Sequence, residues 1–116
     1  MIDRQTIVDA LAAVEGVTAS STRPATPAAG MAWPAWASTT WLNMRADGPR
    51  ERRWFVFVVL SGTVADATVA EADPLVELVG QALADAQLRV VLAEPVGLQI
   101  ANQNDAVPAL RFTLAD

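Results

Sequence analysis

The residue types that most often carry catalysis are missing from this chain. Its 116 residues contain no histidine, cysteine, lysine or tyrosine, which excludes a Ser-His-Asp triad, a thiolate nucleophile, a Schiff base and a phosphate-binding lysine. The usual nitrogen and sulfur ligands of zinc are also missing. Carboxylates and hydroxyls remain, but Asp47, Glu51, Asp66 and Glu94 all fall near predicted turns, where capping and solvation account for them. We therefore expect no enzyme.

The stretch after residue 100 contains side chains with oxygen atoms that could ligate a cation. Asn102, Asn104 and Asp105 resemble a fragment of a calcium-binding loop, whose ligands are carboxylate and carbonyl oxygens. The stretch lacks the glycine and the terminal glutamate of such a loop, and its composition is typical of a tight turn. The sequence predicts no metal site and no cofactor.

Charged residues are distributed unevenly along the chain. Half of the eight basic residues lie within nine positions, at Arg45, Arg50, Arg52 and Arg53. A predicted helix carries five acids and no base: Asp66, Glu71, Asp73, Glu77 and Asp85. These can be two solvated faces, which is the ordinary role of such residues. They can also form a head-to-tail contact in a ring, in which the arginine cluster of one subunit meets the acidic helix of the next.

Tryptophans add a second indication of contacts with a partner. Trp54 is predicted to lie in the core, whereas Trp33, Trp36 and Trp41 cluster around a loop and the strand that follows it. Core packing explains such residues in most proteins, and an exposed tryptophan is a common interface anchor. We predict an interface from Trp33, Trp36, Arg45, Arg50, Arg52, Arg53, Asp66 and Glu71.

Length and composition indicate one domain over residues 1–116, large enough to bury a core without disulfides. No apolar run approaches the length of a membrane span, and no signal-peptide pattern begins the chain. The net charge of −5 makes tight binding to nucleic acid a poor expectation. We expect a protein of the cytoplasm.

The central element is predicted to be the strand Arg53–Leu60. Its β-branched and aromatic side chains alternate between two apolar faces, which is typical of a strand covered on both sides. A helix is predicted over residues 4–15, closed by Gly16, followed by a short edge strand at 17–19 and a long loop from Ser20 to Pro34. A strand over 36–44 should pair antiparallel with the central strand through a turn at residues 47–49.

The second half of the chain predicts a helix and three strands. The helical stretch covers residues 65–86 and contains Pro74, where it either kinks as one helix, the alternative that we favour, or begins anew. Strands are predicted at 88–92, 96–100 and 107–114, with Leu110, Phe112 and Leu114 facing inward. The predicted class is α+β: a mostly antiparallel sheet of four to five strands, flanked by an N-terminal helix and one long central helix.

The order of these segments resembles the tail terminator (tail completion) proteins of long-tailed bacteriophages. The likeness includes the helix that ends in Val14-Glu15-Gly16-Val17, the Trp33-Pro34-Ala35-Trp36 stretch, the apolar strand Trp54–Leu60, residues 65–73 that open the long helix, and residues 94–96 and 108–114. The match lies in the order of elements over nearly the whole chain. Pro74, inside the long helix, is a departure from the pattern.

This resemblance implies a structural protein of the virion without catalytic residues. The expected assembly is a homo-hexameric ring in the neck of the tail, built in the host cytoplasm, that caps the tail tube protein and meets the head–tail connector protein. DNA would pass through its lumen without specific binding. The alternatives are a head–tail connector or stopper subunit, and, from another class, a monomeric α+β binding module or an assembly chaperone.

Overall fold

The part of the chain that the structure describes forms one five-stranded sheet and two helices. A computed structural model describes residues 3–41, 44, 48, 50–60, 69–99 and 107–115, and for residues 69–73 it describes the backbone only. The elements are α1 (Arg4–Ala12), β1 (Thr18–Ala19), β2 (Met31–Trp41), β3 (Arg50–Val59), α2 (Val69–Asp85), β4 (Arg89–Leu98) and β5 (Val107–Ala115). The strand order is β1-β2-β3-β5-β4, antiparallel throughout except for β1 beside β2. The predicted α+β class is confirmed.

Strand β3 lies at the centre of the sheet, between β2 and β5, as its two apolar faces predict. One face forms the main core with both helices: Val56 and Val58 of β3 and Phe112 of β5 pack against residues such as Ile7 of α1 and Leu83 of α2. All five of these side chains are fully buried. Burying an aliphatic or aromatic side chain of this size contributes about 1.5–3 kcal/mol, so this helix-covered face is the main source of stability.

The opposite face of the sheet carries a smaller cluster. Trp33, Val59, Leu98 and Ala109 are buried there, and the rings of Trp33 and Phe57 stack at a centroid distance of 5.7 Å. In the described ranges, no helix lies over this open face, and Phe57 is only half-buried. The prediction that the central strand is covered on both sides therefore holds only in part for the described residues: Val59 is buried on this face, whereas Phe57 remains partly exposed.

Helix α1 begins where its sequence predicts and ends before the predicted residue. The carboxylate of Asp3 accepts a hydrogen bond from the backbone N–H of Thr6 at 2.7 Å, so that Asp3 is the N-cap. Gly16 then turns the chain at a φ of 85°. The helix ends three residues earlier than predicted, because the N–H groups of Ala13 and Val14 bond to carbonyls three residues back and tighten the last turn.

Helix α2 runs through Pro74 without a break, which confirms the single-helix alternative. Its C-terminus is a Schellman motif: the N–H of Leu88 bonds to the carbonyl of Leu83, and the N–H of Gln87 to that of Ala84. Gln87 occupies the left-handed position at a φ of 64°, where glycine is the usual residue. The buried pair Leu83 and Leu88 supplies the apolar contact of the motif. The predicted start of the helix near residue 66 lies outside the described residues.

Strand β2 begins at Met31, inside the segment that the sequence predicts to be a loop. Pro34 does not end the strand, because β1 pairs with β2 only at Met31 and Ala32, which leaves the rest of β2 at the sheet edge. Proline is tolerated where its missing N–H would point away from the sheet. The carbonyl of Pro34 points to that same side and accepts a hydrogen bond from the Arg4 guanidinium at 3.1 Å.

Strand β4 replaces the two strands predicted at 88–92 and 96–100. It continues from Arg89 to Leu98 through Pro95 and Gly97, with the irregularity at Val91, where the register with β5 shifts by one residue. Proline and glycine predict a break, but an edge strand tolerates both. Strand β2 has the corresponding shift at Ala37. Both long edges of the sheet thus carry one proline and one bulge.

Candidate interaction surface

The hairpin of β2 and β3 extends beyond the rest of the sheet. Strand β5 pairs with β3 only from Arg53 to Val59, whereas β2 stays paired with β3 out to the Trp41 and Arg50 pair. Residues 38–41 and 50–52 thus form a two-stranded arm that has no further strand beside it in the described part of the chain. The molecule is accordingly long, measuring 45 × 32 × 23 Å. The predicted turn at 47–49 lies outside the described residues except for Gly48.

The register of the hairpin places aromatic and basic side chains on one face of this arm. Trp36 pairs with Trp54, Thr39 with Arg52 and Trp41 with Arg50, and the bulge at Ala37 keeps all six on the side of the sheet that bears the helices. The term arm face is used below for Trp36, Thr39, Trp41, Arg50 and Arg52.

The arm face is exposed and positively charged. The side chain of Trp36 is 61% accessible, and its Nε1–H donates to Oγ1 of Thr39 at 3.3 Å, which orients the indole. The Arg50 guanidinium lies 5.9 Å from the centre of the Trp41 ring. Among the described residues, neither Arg50 nor Arg52 forms an ion pair with a carboxylate. Two cationic side chains and a large aromatic surface are therefore presented to solvent.

At the base of the arm, Arg4 and Trp54 connect the hairpin to helix α1. The guanidinium of Arg4 lies over the Trp54 ring at 5.3 Å from its centre and donates to the backbone carbonyls of Ser21 and Pro34. The Nε1–H of Trp54 is buried without a hydrogen-bond partner in the described structure. Trp54 packs against the main core, as predicted, and Arg4 links its ring to the backbone of Pro34 at the edge of β2.

Two of the predicted interface residues lie elsewhere. Trp33 belongs to the buried cluster on the open face, is 2% exposed and stacks on Phe57, so it is a core residue and not an exposed anchor. Arg53 belongs to the opposite side of the hairpin, because successive residues of a strand alternate in direction. There it forms an ion pair with Glu51, Nη2 to Oε1, at 3.0 Å. Arg45, Asp66 and the side chain of Glu71 lie outside the described residues.

Another arginine on the open face is held in place by its neighbours. Both Nε and Nη2 of Arg111 donate to Oε1 of Glu94 on the adjacent strand, the Nε distance being 3.1 Å. The same guanidinium lies 4.6 Å from the centre of the Phe55 ring. Arg111 thus covers part of Phe55, and its charge is already neutralised within the chain. Unlike the arm-face arginines, it presents no unpaired cation to a partner.

An acidic groove lies between the two helices. It encloses about 450 Å³ and is lined by Ala13, Val14, Glu15, Leu78, Gln81, Ala82 and Asp85. Leu78 is 55% exposed although it is a large apolar residue. The carboxylate of Asp85 accepts a hydrogen bond from Gln81 Nε2 at 2.8 Å, which is a neutral partner and leaves the charge uncompensated. None of the described residues that line this groove is basic.

Helix geometry strengthens the negative potential of the groove. Residues 13–15 follow the C-terminus of α1, and residues 81–85 form the last turn of α2. The last turn of neither helix contains a basic residue. The C-terminus of a helix carries about half a negative charge, which a cation stabilises and a carboxylate opposes. Two such termini, together with Glu15 and Asp85, make this surface receptive to positive charge.

A second cavity, of about 310 Å³, lies beside the edge of β2. Its lining includes two arginines, Arg4 and Arg23, together with Trp33, Trp36 and Phe57, and none of the described residues that line it is acidic. Both guanidiniums are already bonded to backbone carbonyls, Arg23 to that of Gln99 at 2.6 Å. The cavity can accommodate a small acidic or planar group.

Sequence reasoning missed the groove and the role of Arg4. The spacing of Leu78 fits the apolar side of α2, but its side chain is 55% exposed, which the sequence pattern does not show. The acidic residues of α2 could have indicated one side of the groove. The acid on the other side, Glu15, follows helix α1 and is distant in sequence.

The described residues contain no cluster of carboxylates suited to a metal ion, and none of their helices is long and apolar enough to cross a membrane. Compared with models of known protein families and with curated proteins, the chain gives no match.

Proposed function

We propose that this chain is a structural subunit that assembles with copies of itself into a ring capping a bacteriophage tail tube. The resemblance in the order of the elements supports the viral role, in which the ring ends polymerisation of the tube in the neck of the virion and meets the head connector. The observation that carries self-assembly is the arm face, where Trp36 is 61% exposed beside Arg50 and Arg52. Tryptophan and arginine are the residues most enriched at interface hot spots.

The charge distribution supports a head-to-tail arrangement of the copies. The basic arm face lies on β2 and β3, whereas the acidic groove lies on α1 and α2, and the two surfaces share no residue. A contact between two different surfaces of identical subunits is heterologous, and it closes into a ring when the rotation between subunits divides a full turn. DNA would then pass through the lumen without specific binding, in keeping with the net charge of −5.

Native mass spectrometry of the purified protein over a range of concentrations tests this function. We expect a closed species of six subunits, which dissociates as the salt concentration rises because exposed charge pairs are screened within about 8–10 Å at physiological ionic strength. The Arg52→Glu variant should shift the assembly toward monomer. Arg89→Glu is the matched control, because it makes the same charge change at an exposed position of β4, which is separated from β3 by strand β5.

Two results would contradict the proposal. A monomer at every concentration, with or without added tail tube, would refute the ring. An assembly weakened equally by Arg52→Glu and Arg89→Glu would show that net charge matters and the arm face does not.

A monomeric binding module is the second candidate, and the protected sheet edges favour it. Each long edge strand carries a proline and a bulge, devices by which a lone domain avoids pairing with other sheets. The 310 Å³ cavity between Arg4 and Arg23 is the corresponding ligand site, of a size at the low end of the usual 300–1,000 Å³. A monomer in native mass spectrometry would favour this function.

A further inference from the structure

We infer that the groove between α1 and α2 is the receptor for the arm of a neighbouring copy, with Trp36 as the side chain that enters it. The inference rests on the proposed ring, and it names the two surfaces that meet. The occupant of the groove is a second copy of this chain, because the chain itself carries both complementary surfaces.

Charge complementarity is the first argument for this occupant. The groove combines two carboxylates, Glu15 and Asp85, with the negative C-terminal ends of two helices, and no base lines it. The arm face presents Arg50 and Arg52, which have no carboxylate partner among the described residues. Each surface supplies the charge that the other lacks, and a contact between them would relieve the unfavourable position of an acid at a helix C-terminus.

Apolar complementarity is the second argument. The groove offers about 450 Å³ with Val14 buried in its floor and Leu78 exposed at its side. The indole of Trp36 is the most exposed aromatic ring among the described residues. A tryptophan that buries its ring at an interface removes about 150–250 Å² of its surface from water. Docking would therefore bury both the most exposed tryptophan and the exposed leucine in one contact.

Cross-linking of single-cysteine variants tests this pairing, and the natural chain contains no cysteine that would interfere. Thr39→Cys places a thiol on the arm face and Gln81→Cys places one in the groove. Equimolar mixtures are treated with a short bis-maleimide, and the heterodimer is quantified. We expect it to form about tenfold faster than with Ala84→Cys in place of Gln81→Cys, because docking raises the effective concentration of the thiols. Ala84 is exposed on the same helix but does not line the groove.

A second pair of variants avoids reliance on the added thiols. Leu78→Glu should weaken assembly about tenfold or more, because it puts a third carboxylate where the indole would sit. Leu92→Glu is the control: Leu92 is 48% exposed, comparable with Leu78, and lies on the open face of β4. Both variants change an exposed leucine, and both should remain folded by circular dichroism.

The outcomes separate this inference from the proposed function. A six-subunit ring without preferential Thr39–Gln81 cross-linking, and with equal effects of Leu78→Glu and Leu92→Glu, overturns the inference and leaves the ring. Preferential cross-linking in dimers or open filaments supports the arm–groove contact and refutes the closed ring. A monomer that gives no preferential cross-link refutes both.

Discussion

At the scale of single residues, the arginines show how the neighbours of a side chain decide its role. Arg111 is held by Glu94 and lies over Phe55, so its charge is neutralised within the sheet. Arg50 and Arg52 form no ion pair with a carboxylate in the described structure. Sequence grouped Arg53 with them because the three lie close in the chain, but strand alternation directs Arg53 to the opposite side. Proximity in sequence predicted the cluster and could not predict its face.

Two glycines with nearly the same backbone conformation allow a matched test of local strain. Gly16 and Gly30 have φ values of 85° and 87°, and a Cβ on Gly30 would lie 2.9 Å from the carbonyl oxygen of Gly16, whereas a Cβ on Gly16 would meet nothing within 4 Å. We expect Gly16→Ala to lower the free energy of unfolding by about 1 kcal/mol, the cost of the left-handed conformation. Gly30→Ala should cost clearly more.

Chemical denaturation of the two glycine variants measures both values. Equal losses would show that the backbone around residue 30 yields without cost to a methyl group. That result would contradict the close packing of the turn after α1 against the start of β2.

The N-cap of α1 gives a prediction about pH. The hydrogen bond from the Thr6 backbone N–H lowers the pKa of Asp3 below its ordinary value of 3.8. Ionised Asp3 therefore stabilises the fold above that value, and this contribution is lost as the pH falls through the lowered pKa of the folded state. Asp3→Asn keeps a capping oxygen but does not titrate. We expect the Tm advantage of the natural chain over Asp3→Asn to shrink as the pH falls from 6 to about 2.

Thermal unfolding monitored by circular dichroism at several pH values gives the comparison. If the two Tm curves run parallel over the whole range, Asp3 does not stabilise α1 through its charge.

At the scale of helices and strands, the sequence predicted an element well when its apolar pattern and its proline or glycine positions indicated the same bounds. The strands at the edges of the sheet were predicted less well. Strand β5 was predicted nearly to the residue, because its alternation is regular and Pro108 falls near its start. The start of β2 and the continuity of β4 were missed, because Pro34 and Pro95 are read as breaks. A proline interrupts a strand only if another strand would pair with it on the side of its missing N–H. Whether such a strand is present depends on pairing between segments that are distant in sequence.

Replacing glutamine by glycine should change the stability in opposite directions at two positions near the C-terminus of α2. Gln87 has a φ of 64° in the left-handed position of a Schellman motif, whereas Gln81 lies within the helix. We expect Gln87→Gly to raise the free energy of unfolding by about 0.5–1 kcal/mol, because glycine has no Cβ penalty there. Gln81→Gly should lower it by about 1 kcal/mol.

Urea denaturation of both glutamine variants measures the two changes against the natural chain. A loss of stability in both would mean that glycine acts mainly through the unfolded state and that Gln87 is not strained.

At the scale of the whole molecule, sequence established the class of fold but not the arrangement of its surfaces. Two apolar faces of β3 predicted cover on both sides, yet both described helices lie on one face. Alternation tells which side chains share a face and leaves open what lies over each face. For the same reason the sequence predicted an acidic helix but not the groove. The groove forms because the residues after α1 lie beside Leu78, more than sixty positions away in sequence.

The proline and the bulge in each long edge strand have a consequence for the behaviour of the protein at high concentration. Fibres grow when a flat edge strand offers an unbroken row of N–H and C=O groups to the next chain. In β2 and β4 that row is broken twice, by Pro34 and the bulge at Ala37 and by the bulge at Val91 and Pro95. Copies crowded together therefore have no unbroken edge along which to pair, and we expect contacts between them to use side chains. We expect a concentrated solution to stay free of fibres and not to set into a gel.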